Sequence, residues 1–73
     1  MNDEILLDKE QTRVLDILNQ IKELNKMIDL HQTQSKDSFM VNQYMDMKNR
    51  FLNELKEILS DYEIEVLIKN QAA

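Results

Sequence analysis

Residues 7–28 read LDKEQTRVLDILNQIKELNKMI, and Leu7, Val14, Ile21 and Ile28 recur in it every seven residues. Ile17 and Leu24 follow Val14 and Ile21 by three, and Leu18 follows Val14 by four. That spacing draws one apolar stripe along an α-helix. Around it stand Asp8, Lys9, Arg13, Asp16, Lys22, Glu23, Lys26 and Asp29, charges of both signs that suit a solvated face. A helix with one apolar stripe requires a partner to cover it, so the rest of the chain is read for that partner.

The first helix is expected over residues 3–31, with Asn2 or Asp3 as its cap and Asp3 and Glu4 placing negative charge in its first turn. The segment HQTQSKDS, residues 31–38, has no apolar side chain and is rich in groups that bond their own backbone. A turn is therefore expected over residues 32–37, with Asp37 or Ser38 capping a second helix. One continuous helix is the competing reading, and heptad phase argues against it. Continuing by sevens from Ile28 reaches Ser35, Asn42, Asn49 and Lys56, all polar, whereas the second stripe is Met45, Leu52, Leu59 and Val66. A change of phase across a polar octet implies an antiparallel hairpin rather than an unbroken coiled coil.

The second helix is expected over residues 38–70, and its apolar face is wide. Columns Tyr44, Phe51, Ile58 and Met45, Leu52, Leu59 flank a central column of Val41, Lys48, Leu55 and Tyr62, and Met40 and Met47 widen it further. One neighbouring helix cannot cover such a face, so two hairpins pairing into a four-helix bundle are the simplest closure. Residues 62–69 are read two ways. Leu55, Leu59, Tyr62 and Val66 continue the helical stripe, while Tyr62, Ile64, Val66 and Ile68 alternate with Glu63, Glu65, Leu67 and Lys69 at the period of a strand. Helix is the expectation. A short strand is the alternative, and it would have to pair with a second copy or another protein.

Composition narrows function. With 73 residues there is room for one domain, and a chain so short leaves much of its surface exposed even when folded. Without Cys and with a single His it has neither disulfides nor the usual zinc ligands. Small domains in that position rely on oligomerisation or very regular helix packing. Gly and Pro are absent too, so few turns are expected. A net charge of −5, with no cluster of Lys and Arg, makes nucleic acid a poor partner. The acidic start, MNDEILL, does not suit a secretory signal, and no apolar run reaches membrane-spanning length, so a cytoplasmic protein is expected.

Each residue that could carry chemistry also has a structural reading. Lys48 stands in the apolar column of helix 2, roughly opposite Ile21 and near Asn25. A buried amine there could serve as a base, but a packed stem with its ammonium in water is the expected role. His31 has no second His or Cys to share a metal and reads as a helix-end side chain. Asp37, Asp46 and the group Glu57, Asp61, Glu63 and Glu65 lack calcium-loop spacing. Ser35, Ser38 and Ser60 have no activating base nearby. Arg13 and Arg50 are expected to lie apart and in solvent. The methionines Met27, Met40, Met45 and Met47 gather toward the turn and could line an adaptable groove, though a buried core or interface is the expected role.

These readings converge on a protein without cofactor, metal or catalysis. It would be an all-α hairpin that self-associates and serves as an adaptor or regulatory subunit, with itself and another protein as partners. Its expected interface is Val14, Ile17, Leu18, Ile21, Leu24 and Ile28 on helix 1. On helix 2 it is Met40, Tyr44, Met45, Met47 and Phe51, then Leu52, Leu55 and Leu59. The alternative is an acidic, antitoxin-like inhibitor that masks a basic site on a macromolecule.

Overall fold

A computed structural model describes residues 8–69 as a helical hairpin. Helix α1, Lys9–Leu30, continues into one π-helical turn, His31–Ser35, and helix α2, Ser38–Ser60, returns antiparallel along it. The expected caps Asn2 and Asp3 lie outside the described residues. The described helix is capped by Asp8, whose Oδ1 accepts from the Gln11 backbone N–H at 2.7 Å while Gln11 Oε1 accepts from the Asp8 N–H at 3.1 Å. This reciprocal box satisfies two backbone donors at once.

The turn holds because its backbone groups find partners. The His31 carbonyl accepts from the N–H groups of both Lys36 and Asp37, and the Thr33 hydroxyl donates to the Asp29 carbonyl at 2.7 Å. Lys36 adopts the left-handed conformation, φ 52°, which reverses the chain. Glycine usually occupies such a position, because a Cβ costs about 1 kcal/mol there. Asp37 then caps α2 by accepting from the Met40 N–H, as the sequence suggests.

Helix α2 stops at Ser60, ten residues before the expected end, and residues 64–68 are in neither helix nor strand. The reason lies in the backbone. Glu63 takes φ 58°, its N–H donates to the Ser60 carbonyl and the Ile64 N–H donates to the Leu59 carbonyl. This is the Schellman arrangement, with Glu63 where glycine is customary. Its usual apolar contact is between Ile64 and Leu59, which line one depression with Val14 and Leu15. The helical stripe through Tyr62 and Val66 therefore yields to a stop that brings Ile64 back onto α1.

The core is thin. Ile17 and Leu24 from α1 and Val41, Leu52 and Leu55 from α2 are the buried side chains among the described residues, and Ile17 alone is fully enclosed. No described helix is long and apolar enough to cross a membrane.

Candidate interaction surface

The two long sides of the hairpin differ in what joins the helices. On one side Arg13 spans from α1 to α2. Its Nε and one terminal nitrogen donate to the two Glu54 carboxylate oxygens at 2.6 and 2.7 Å, and its other terminal nitrogen reaches Asp16 at 2.7 Å. Its guanidinium also lies 5.7 Å from the centre of the Phe51 ring. The two-pronged bond from Arg13 holds the Glu54 carboxyl below the usual carboxylate range, against the opposing effect of desolvation. Nearer the turn His31 stacks on Tyr44, ring centres 5.5 Å apart.

At 100° per residue the opposite side carries Val14, Leu18 and Ile21 from α1 and Met45 from α2. No ion pair or side-chain hydrogen bond crosses from helix to helix on this side among the described residues. Leu15 and Leu18 are each about half exposed, at 49% and 48%, and Met45 is 44% exposed. Toward the open end of the hairpin the same side holds a depression of about 320 Å³, lined by Gln11, Val14, Leu15, Leu59, Tyr62 and Ile64. Tyr62 fixes its rim by donating its hydroxyl to Glu10 at 2.8 Å. That bond, with added desolvation, raises the phenol above its ordinary value.

The expected interface residues thus divide. Ile17, Leu24, Leu52 and Leu55 are the hairpin's own core; Val14, Ile21, Ile28, Met40, Tyr44, Phe51 and Leu59 are half-buried; Leu18, Met45 and Met47 are exposed. The methionines do not form a core within the chain, since Met27 and Met40 are half-covered and Met45 and Met47 are open. Two expectations about arginine are corrected. Arg13 is half-buried and bonded across the hairpin, and it lines one depression of about 250 Å³ together with Arg50, Met47, Phe51 and Glu54. Their approach follows from helical periodicity, which a residue-for-residue pairing across the turn ignores.

Sequence reading missed Leu15, because it lies off the heptad stripe, and Leu67, which the structure leaves 84% exposed. It missed the capping box at Asp8, for which the pattern Asp8-x-x-Gln11 was the available signal. Lys48 is half-buried and makes no ion pair among the described residues. His31 has its Nδ1 buried without a hydrogen-bond partner. No group of three or more His, Cys, Asp or Glu side chains among the described residues is placed to hold a metal. In comparison with known proteins, the chain matches no family model, no curated protein and no solved structure.

Proposed function

We propose that this chain is an interaction protein. It is a hairpin that self-associates through the apolar side opposite the Arg13–Glu54 bridge, two copies closing a four-helix bundle, and it serves as a small adaptor or regulatory subunit. The observation that carries the reading is the imbalance, among the described residues, between five buried apolar side chains and nine large apolar ones left exposed. Covering apolar surface contributes about 25 cal/mol per Å², and a thin core gains most from a second copy that supplies the missing layer. The reading is of a binding protein, not an enzyme.

Light scattering coupled to size exclusion, at two concentrations and with circular dichroism alongside, tests it. A helical dimer is expected. Leu18→Glu should turn that dimer into a helical monomer, because Leu18 is half exposed in the hairpin and its replacement leaves the five-residue core intact. A wild-type chain that is helical and monomeric at both concentrations would overturn the reading.

A further inference from the structure

Among the described residues, the segment after α2 is the part whose backbone bonding is least complete. The backbone N–H and C=O groups of Glu65, Val66 and Leu67 make no hydrogen bond to any other described residue. Residues 65–69 alternate at the strand period and include β-branched Val66 and Ile68, flanking Leu67, the most exposed large apolar side chain among the described residues. A stretch whose backbone groups pair with no other described residue is a template for another strand. The ends of the segment say which strand. Glu65 and Lys69 stand two residues either side of Leu67, so an antiparallel pairing of two copies centred on Leu67 sets each Glu65 opposite the other copy's Lys69. It also sets Val66 opposite Ile68 and Leu67 opposite itself. Opposite charges and β-branched pairs at directly facing positions are the favourable cross-strand combinations.

We propose that residues 65–69 pair antiparallel with the same residues of a second copy, adding a two-stranded ribbon to the self-association suggested above. The proposal rests on that self-association and names a second contact in it. The ribbon leaves the observed anchor untouched, since Ile64 keeps its place beside Val14, Leu15 and Leu59 and Tyr62 its bond to Glu10. An isolated two-stranded ribbon is marginal in water, and here each strand is tethered to a hairpin by that anchor.

The absence of cysteine in the chain makes cross-linking an unambiguous test. In the full chain, Leu67→Cys faces its own copy within disulfide reach, whereas two Glu65→Cys sites lie about 13 Å apart at 3.3 to 3.4 Å per residue. Under mild oxidation Leu67→Cys should give linked dimer about ten times faster than Glu65→Cys. Lys69→Glu should weaken association several-fold, and adding Glu65→Lys to the same chain should restore it. Equal cross-linking at both positions, or no rescue by the double charge exchange, would overturn the ribbon. If wild-type light scattering shows a dimer that Leu18→Glu dissociates while either of those results holds, the helical interface stands and the ribbon alone falls. A monomeric wild type removes both.

Discussion

The two sides of one hairpin are joined by different chemistry. One is bridged by directional contacts: Arg13 to Glu54, Arg13 over Phe51, His31 on Tyr44. On the other no ion pair or side-chain hydrogen bond joins helix to helix among the described residues, Tyr62 of the segment after α2 bonds Glu10 at its open end, and Leu15, Leu18 and Met45 are about half open to solvent. Directional bonds need particular atoms at particular distances, so the first side fixes which way the helices face each other. Apolar contacts are non-directional, so the second side can accept another apolar surface. Directional bonding and open apolar surface thereby fall on opposite faces of the same two helices.

The most damaging way to break this comparison is at the layer both sides share. Ile17→Ala should cost about 2 to 4 kcal/mol, and in a core of five residues it should abolish the cooperative thermal transition by circular dichroism. A retained transition would mean that Ile17 is not the centre. At the end of the hairpin, Glu63→Gly should stabilise the chain by about 0.5 to 1 kcal/mol by removing a Cβ from a left-handed position. Urea unfolding measures that, and a loss of stability would deny the Schellman stop its role in bringing Ile64 back.

The hairpin and the second helix's cap at Asp37 were legible in the sequence because they depend on short-range signals. The polar octet and the phase break are both visible within a few turns of helix. The end of α2 was not. Ser60 and Asp61 are the available stop signal, and the stripe through Leu59, Tyr62 and Val66 runs past it without a break. A left-handed Glu63 is invisible to a reading that expects glycine there. The Arg13–Glu54 bond joins residues 41 positions apart, so no local pattern announces it. Met45 and Met47 on the face of α2 are exposed, but the exposed apolar set also includes Leu15, Phe39 and Leu67, which stand off the stripes.

Two smaller tests sharpen the contrast between the sides. Arg13 holds Glu54 more readily ionised in the folded chain than in the unfolded one. The bridge therefore contributes stability at pH values above the ordinary range of a glutamate, and that contribution is lost as pH falls through the lowered folded value. Glu54→Gln should flatten the decline of the melting temperature below about pH 4, with little change at neutral pH beyond a small loss of stability. An unchanged acid limb would remove the bridge from the energetics. Lys48→Met, in the apolar column between the two sides, should be neutral or slightly stabilising. A loss above about 1 kcal/mol would reveal a specific partner for its ammonium.

The π turn at His31–Ser35 makes loop length a rotational setting. A π turn carries roughly one residue more than an α turn, and each residue rotates the chain by about 100°. Removing one residue between Gln32 and Ser35 would shorten the reversal and also turn α2 by about 100°, delivering it to α1 with a different column foremost. Which faces of the two helices meet could thus be rewritten by indel rather than by substitution, with every side chain of both helices kept.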